Sequence, residues 1–146
     1  MKYPVNVTTT PIYTGAESMK QNFINEVIHP FKERFNTSST SVEAISIKDA
    51  RYGGGPRGGS LMCLPDHIVI AIRDMGYKCI NRAFWEAPEL NAINMGEHGS
   101  LYMGDLEFVY VFVKGFENCE QIAGDIDLYN EIEKQFNRPC KLLWMR

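Results

Sequence analysis

A chain of 146 residues with 45% hydrophobic and 23% charged residues has the size and composition of one globular domain, which argues against disorder and fibrous repeats. A formal net charge of -3 excludes a broad surface for nucleic acid or an anionic membrane, because such binding depends on an excess of Lys and Arg. The longest apolar runs, 68–72 and 108–113, are far shorter than the roughly 20 residues that cross a bilayer, so we expect no membrane span.

The N-terminal residues carry no apolar stretch or cleavage site typical of a secretory signal, so we predict a cytoplasmic, intracellular protein. The four cysteines, Cys63, Cys79, Cys119 and Cys140, are scattered and lack the paired spacing of zinc sites. We therefore expect reduced, buried thiols, no metal site and no resident cofactor.

The first predicted helix begins at a capping box, in which Thr14 covers the amide of Glu17 while Glu17 reaches back. Apolar residues then recur at the helical spacing of three to four. They are Met19, Phe23, Val27 and Ile28. Pro30 cannot donate a backbone hydrogen bond, so we expect a kink or a break there, with the apolar face continuing beyond it.

The middle of the chain combines a β-branched strand, a glycine-rich segment and an amphipathic element. Residues 41–47 predict the strand, and the glycines follow directly. Pro65-Asp66 suits a helix start, and apolar residues share one face until Gly76. The same run also alternates with a period of two, so a strand is the alternative. A further strand is predicted after Gly76.

The last third contains the clearest strand. Residues 86–104 lack periodicity and predict a long loop, of the kind that is often functional. Residues 106–113 are apolar on both faces, which predicts a central strand covered by helices or by a partner subunit. Asn118 is expected to cap a long helix that ends at 137–139, and 140–145 form a last strand.

These elements predict an α+β fold, with residues 1–146 as a single domain. The sheet is expected to be mixed or antiparallel, with a central apolar strand at about 106–114 and two to three packed helices. Coverage of the central strand by a second copy would make the protein a homo-oligomer.

The glycine-rich segment is the main candidate for ligand binding. Its glycines remove side chains from the backbone and free amides to converge on an anion. Nearby arginines would add charge-assisted contacts to a phosphate or carboxylate. The predicted ligand-binding residues are Arg51, Gly53, Gly54, Gly55, Arg57, Gly58, Gly59 and Ser60. The segment matches neither the phosphate-loop nor the dinucleotide-binding motif. The alternative is a plain connection between elements.

One stretch resembles a known family. Arg57-Gly58-Gly59, an apolar segment, then Gly76-Tyr77 and a strand are similar to the pyrophosphate-binding loop and following helix of the acyl-CoA-dependent N-acetyltransferases. The likeness covers about twenty residues and departs from the family pattern at Pro65. The resemblance implies a small acyltransferase in which the glycine-rich segment contacts acyl-CoA.

The long loop provides a second group of candidates. Glu97, His98, Ser100 and Tyr102 offer a carboxylate, an imidazole and hydroxyls in an irregular segment, where functional groups often lie. Residues this close in sequence seldom form a catalytic triad among themselves. A solvated loop is therefore the favoured interpretation, and a contribution of these residues to ligand binding is the alternative.

Two further groups of residues can be interpreted only from their positions in the fold. Arginines and aromatic residues could together line a base-stacking pocket, or simply pack at the rim of the core. They are Arg73, Arg82, Trp85 and Tyr102. Two carboxylate pairs could bind Mg²⁺ or face solvent. They are Asp105 with Glu107 and Asp125 with Asp127.

The hypothesis favoured by the sequence is an intracellular binding protein for an anionic, nucleotide-like small ligand, with a sequestering or regulatory role. Binding ranks above catalysis because no nucleophile, metal cluster or acid-base pair is evident. The alternatives are the acyltransferase and a protein-protein interaction module or inhibitor that uses the long loop.

Overall fold

The computed structural model describes residues 3–35, 41–52, 60–86 and 107–145. Its strands are β1 (Val5–Thr9), β2 (Ser41–Lys48), β3 (Arg51–Tyr52), β4 (Ser60–Leu61), β5 (Lys78–Trp85), β6 (Glu107–Lys114) and β7 (Leu142–Trp144). Its helices are α1 (Gly15–Ser18), α2 (Phe23–Phe35), α3 (Leu64–Asp74), α4 (Cys119–Ala123) and α5 (Ile126–Phe136).

Five strands form one mixed sheet in the order β1-β2-β6-β5-β7. β1 is parallel to β2, and the pairs β2 with β6, β6 with β5 and β5 with β7 are antiparallel. β1, β2 and β5 therefore run in one direction, and β6 and β7 run in the other. The predicted α+β fold with a mixed sheet and packed helices is confirmed.

Helices cover both faces of this sheet. α2 and α3 pack on one face, where their apolar stripes meet alternate residues of β2 and β6 such as Ile45 and Phe112. The other face packs against α4 and α5, with Ile122, Leu128 and Ile132 in contact with its core. This three-layer arrangement buries apolar residues on both sides of the central strands.

The predicted central strand is confirmed as β6, the third of the five strands. Its residues from Val109 to Val113 are buried, because each face of the strand lies under a layer of helices. This chain's own helices provide that cover, so its burial requires no second copy.

The N-terminal helical region differs from its prediction. The capping box is present, with Thr14 and Glu17 exchanging hydrogen bonds of 3.0 and 3.1 Å. It caps only the short α1, and a turn through Asn22, at φ 68, separates α1 from α2. Met19 is therefore exposed and not part of the core stripe. The break expected at Pro30 is wrong, since α2 continues through it.

The element after the glycine-rich segment is a helix, α3, as predicted from Pro65. The strand after Gly76 is also confirmed, and Gly76 adopts φ 92, which suits a residue without a side chain. Near the C-terminus, the single predicted helix is two helices, α4 and α5. The chain turns at Gly124, and the Asp125 carboxylate accepts a 3.0 Å hydrogen bond from the Asp127 amide to cap α5.

The cysteines are free, as expected. The prediction that they are buried is wrong, because Cys63 and Cys79 are exposed and Cys119 and Cys140 are partly exposed. Cys63 precedes α3 in a left-handed conformation, and Cys79 lies near the start of β5. No described helix is long and apolar enough to cross a membrane.

We predict that denatured protein takes up four alkyl groups per chain without reductant. In the native protein the reagent should modify Cys63 first, because its side chain is exposed. Cys79 is also exposed but should react more slowly, because burial raises the pKa of its thiol and so lowers the thiolate fraction. Peptide mass spectrometry after timed alkylation would measure the number of labels on the denatured protein and the order in which the native cysteines react. Two missing labels in the denatured sample would contradict the free-thiol assignment.

Candidate functional site

The glycine-rich segment and the long second segment are both attached to the same edge of the sheet, the one formed by strand ends. It contains the carboxyl ends of β1, β2 and β5 and the amino ends of β6 and β7, as the strand directions require. We call it the carboxyl edge. In α/β folds, ligands commonly bind outside the carboxyl ends of parallel strands, because chain connections leave a crevice there.

The glycine-rich segment begins and ends at a small hairpin beyond β2. Arg51 pairs with Leu61, and Tyr52 pairs with Ser60, so residues 53–59 join the two strands of this hairpin. The backbones of Arg51 and Ser60 are thereby placed in β3 and β4. Their side chains lie outside what the structure describes, as do the other predicted ligand residues, Gly53, Gly54, Gly55, Arg57, Gly58 and Gly59.

The second predicted group starts from the same edge. Residues 87–106 join the end of β5 to the start of β6, and both of these strand ends lie at the carboxyl edge. Glu97, His98, Ser100 and Tyr102 belong to this connection and lie outside the described residues. The topology therefore attaches both candidate segments to one edge, although they are far apart in sequence.

Asp49 connects the hairpin to α3. Its Oδ1 accepts hydrogen bonds from the Ala50 amide at 2.7 Å and from the Leu64 amide at 2.9 Å. The Met62 amide also donates to the Ala50 carbonyl at 2.8 Å. Asp49 thus satisfies an otherwise free amide in the first turn of α3, where a negative charge is favourable. These bonds hold both ends of the glycine-rich hairpin against the sheet.

A second polar cluster lies at the carboxyl edge on the face covered by α5. The Arg138 guanidinium donates two hydrogen bonds to the Glu107 carboxylate, at 2.9 Å to Oε1 and 2.8 Å to Oε2. Arg138 also lies 4.4 Å from the ring centre of Trp85 and donates to the Thr9 hydroxyl at 3.3 Å. Residues from β1, β5 and β6 therefore converge on one guanidinium.

Ser46 completes this cluster from β2. The Trp85 indole donates to the Ser46 hydroxyl at 2.8 Å, and that hydroxyl donates in turn to Glu107. Burial would raise the pKa of Glu107, but hydrogen bonds from Arg138 and Ser46 and the charge of Arg138 outweigh it, leaving the pKa below its ordinary value. Glu107 is thus a paired carboxylate, which stabilises the edge and is poorly suited to accept a proton near neutral pH.

Sequence reasoning missed most of this cluster. The sequence indicates Glu107 only as a magnesium ligand or a solvated residue, and Arg138 only as part of a helix end. The one local signal was Ser46, a polar residue on the same strand face as Val42 and Ala44, because a buried hydroxyl in a strand needs a partner. Nothing local indicated that the partners are Trp85 and Glu107.

The other fold-dependent groups are partly brought together. Arg73 and Arg82 line one groove between α3 and β5, whereas Trp85 is buried in the cluster on the opposite face, and Tyr102 is not described. Asp125 caps α5 and accepts a 2.8 Å hydrogen bond from the Tyr3 hydroxyl. Within the described ranges, no group of three metal-ligating side chains occurs.

A groove of about 910 Å³ lies away from the carboxyl edge. It is bordered by Tyr3, Phe116 and the start of α5, and it carries carboxylates such as Glu117 and Asp127. Its acidic lining does not suit the anionic ligand expected from the sequence. The strand topology and the sequence both favour the carboxyl edge as the site.

No family model matches the chain, and no curated protein matches its sequence. In structure, the chain is similar to a protein from Thermus thermophilus that has been provisionally named a DNA modification methylase. The structure of that protein complexed with S-adenosyl-L-methionine superposes with a TM-score of 0.53 at 17% identity, over 78% of this chain and 46% of that one.

Two further structures of the same Thermus protein agree. The selenomethionine derivative has a TM-score of 0.52 at 19% identity, over 78% of this chain and 45% of that one. A third has a TM-score of 0.52 at 19% identity, over 79% and 48%. This chain therefore spans less than half the length of that protein, and the shared feature is a fold resembling that of a methylase that binds S-adenosylmethionine.

Proposed function

We propose that the chain binds a nucleoside-bearing small molecule at the carboxyl edge, and that S-adenosylmethionine is the first ligand to test. The observation that carries this proposal is the strand topology, which starts both candidate segments from the edge where parallel strands end. The fold likeness to a protein that has been crystallised with S-adenosylmethionine supports the nucleoside part.

The chemistry of the glycine-rich segment suits such a ligand. S-adenosylmethionine carries a carboxylate on its amino-acid part, and free backbone amides together with an arginine fork bind carboxylates as well as phosphates. We assign this contact to Gly53–Ser60 and Arg57, with Arg51 at the base of the hairpin. The second loop would add Glu97, His98, Ser100 and Tyr102 around the nucleoside.

The described polar groups at this edge serve to hold its shape. Asp49 is committed to the amides of Ala50 and Leu64, and Glu107 is committed to Arg138 and Ser46. A rigid base beneath two binding segments reduces the entropy lost when the ligand is immobilised. In this proposal, the described residues of the carboxyl edge form a rigid base, and the two attached segments supply the contacts to the ligand.

The proposal is tested by isothermal titration of the protein with S-adenosylmethionine, S-adenosylhomocysteine, ATP, cyclic AMP and coenzyme A. We expect saturable binding of at least one adenosyl ligand, with one site per chain. Preferred binding of coenzyme A would favour the acyltransferase alternative. If no nucleotide or nucleoside binds and the protein from cells carries a second chain, the interaction alternative replaces this proposal.

We predict that Arg57→Ala weakens binding of a ligand that presents a carboxylate or phosphate to this segment by about 1.5 kcal/mol or more, the lower range for hydrogen bonds to charged groups. If Arg57 serves ligand binding alone, the melting temperature of the ligand-free protein should hardly change, because substitutions away from structural contacts rarely alter stability. Arg57→Lys should restore only part of the affinity, since an ammonium lacks the planar fork of a guanidinium.

The matched control for Arg57 is Lys20→Ala, which removes an exposed cation next to α1. Added salt should weaken the wild-type complex, because screening acts on exposed charge contacts. Equal losses in Arg57→Ala and Lys20→Ala would show a general charge effect. Unfolding of Arg57→Ala would instead make the segment a structural connection.

A further inference from the structure

The outermost strand β7 leaves part of its backbone without a partner. It pairs with β5 on one side, and on its other side no described strand lies beside it. The Met145 amide donates a 2.8 Å hydrogen bond to the Arg82 carbonyl. Because hydrogen-bonded positions alternate along an antiparallel pair, the amides and carbonyls of Leu142 and Trp144 point away from β5. They form no hydrogen bond with the described residues, so β7 offers a template for another strand.

The side chains along β7 are apolar and partly exposed. Residues 142–145 are Leu, Leu, Trp and Met, without the charge or proline that commonly protects an edge strand from pairing. Leu143 and Met145 are 41% and 48% exposed. They lie on the face that α2 and α3 cover further along the sheet, because Leu143 is opposite Phe84 and Phe84 is opposite Phe108. Exposed apolar side chains beside free backbone groups favour contact with another protein strand.

The strand at the other side of the sheet, β1, is protected in both respects. The Gln135 side chain donates a 2.9 Å hydrogen bond to the Val5 carbonyl, which covers part of the β1 backbone. The exposed side chains of β1 are the polar residues Asn6 and Thr9. The apolar, unpaired character of β7 is therefore a local feature of that strand and not a general property of this sheet.

The sequence of β7 is complementary to itself in an antiparallel alignment. With Leu143 opposite the partner's Leu143, Leu142 lies opposite the partner's Trp144. This register pairs both outward-facing residues of each strand. Lys141 then lies opposite the partner's Met145, so no like charges meet across the two strands. Two identical antiparallel strands are related by a two-fold axis, which is the commonest symmetry of protein dimers.

We propose that the chain forms a homodimer in which β7 pairs antiparallel with β7 of a second copy, around a two-fold axis at Leu143. The two five-stranded sheets then form one continuous sheet. Backbone hydrogen bonds hold the two strands together, and the exposed side chains of Leu143 and Met145 add apolar contact. A strand of three residues provides a small contact area, so the dimer should dissociate on dilution. This inference is independent of the ligand proposed at the carboxyl edge.

The first test is sedimentation equilibrium of the ligand-free protein over about a hundredfold range of concentration. The average mass should rise with concentration from 16.7 kDa, the mass of one chain, toward twice that value. Leu143→Lys should weaken dimerisation about tenfold or more, because it places like charges opposite each other at the axis. The matched control is Ile12→Lys, which changes a side chain that is 70% exposed between β1 and α1. It should alter dimerisation less than about twofold.

Mixing two charge variants tests whether β7 pairs with its own copy. Leu143→Lys and Leu143→Glu should each be monomeric alone, since each places like charges at the axis. An equimolar mixture should associate at least about tenfold more tightly than either variant, because opposite charges then meet directly across the strands. A partner other than a second copy cannot produce this rescue, so its absence would overturn the proposal.

Disulfide formation tests the register. In the proposed pairing, position 143 faces its own copy at a non-hydrogen-bonded position, where Cα atoms about 4.5 Å apart allow a disulfide. Leu143→Cys should therefore give a covalent dimer under mild oxidation. Met145→Cys should not, because its two copies are displaced by four positions, about 13 Å at roughly 3.3 Å per residue. Peptide mass spectrometry would distinguish this bond from any formed by the four native cysteines.

Three results would overturn the homodimer. They are a wild-type protein that stays monomeric over the whole concentration range, a dimer that Leu143→Lys leaves intact, and preferential cross-linking of Met145→Cys. The second of these would place association on another surface, and the third would overturn the register. The melting temperature of each variant reports whether it folds, and the cysteine variants test the pairing without introducing a charge. S-adenosylmethionine binding is measured separately, so the ligand proposal and the dimer fail or succeed independently.

Discussion

Phe112→Ala is expected to lower the free energy of unfolding by about 3 to 5 kcal/mol, the range for emptying an aromatic site in a core. Phe112 is fully buried in β6 beneath α2 and α3. Because β6 lies between β2 and β5, the surrounding layers cannot collapse into the cavity without distorting the sheet. Urea denaturation followed by circular dichroism would measure the loss.

The matched control is Ile126→Ala, which truncates a side chain that is 72% exposed on α5. That change should cost less than about 0.5 kcal/mol, as expected for surface substitutions. A loss below about 1 kcal/mol for Phe112→Ala would contradict the burial of the central strand. The difference between the two variants therefore reports packing and not the general effect of losing a large side chain.

Arg138→Ala is expected to destabilise the protein by about 2 to 3 kcal/mol at neutral pH. The change leaves Ser46 as the remaining hydrogen-bond donor to Glu107 among the described residues, and it removes the cation above the Trp85 ring. Loss of one partner from a fully buried pair costs more, but Glu107 and Arg138 keep 19% and 26% of their side-chain surface exposed. Lys134→Ala is the control, since it removes an exposed cation from α5, the helix that ends just before Arg138.

The pH dependence provides a second readout of the same ion pair. The folded pKa of Glu107 lies below its ordinary value of 4.5, so its stabilisation is fully present above the unfolded pKa. The stabilisation is lost as pH falls through the lowered folded pKa. Glu107→Gln should therefore be less stable than wild type at pH 7, and the difference should shrink below about pH 4.5. A difference that is constant with pH would show that charge pairing is not responsible.

The glycine-rich segment and the long second segment are each weak evidence for a ligand site, and the carboxyl edge connects them because both are attached to it. A glycine-rich segment alone is equally compatible with a plain connection, and for the segment containing His98 the sequence favours solvent exposure. Their attachment to the same strand ends follows from the antiparallel pairing of β5 with β6 and from the hairpin of β3 with β4. The groove between α3 and β5 similarly brings Arg73 and Arg82 together but leaves Trp85 on the opposite face.

Local sequence determined the elements whose signals are short in range. The capping box at Thr14, the proline at the start of α3 and the doubly apolar run of β6 each predicted an element that is present. Such signals succeed because capping bonds and side-chain periodicity act within a few residues. Of the kink or break expected at Pro30, the break is wrong, since packing of the buried face of α2 outweighs the loss of one backbone hydrogen bond.

Tertiary structure alone decided the strand order, the edge at which the two candidate segments begin, and the partners of isolated polar residues. β1 was not predicted, because five residues that are only partly buried carry too weak a periodic signal until they pair with β2. Ser46 and Glu107 are 61 positions apart and meet only after β2 and β6 have paired. Contacts of this kind depend on chain topology, which local propensity does not encode.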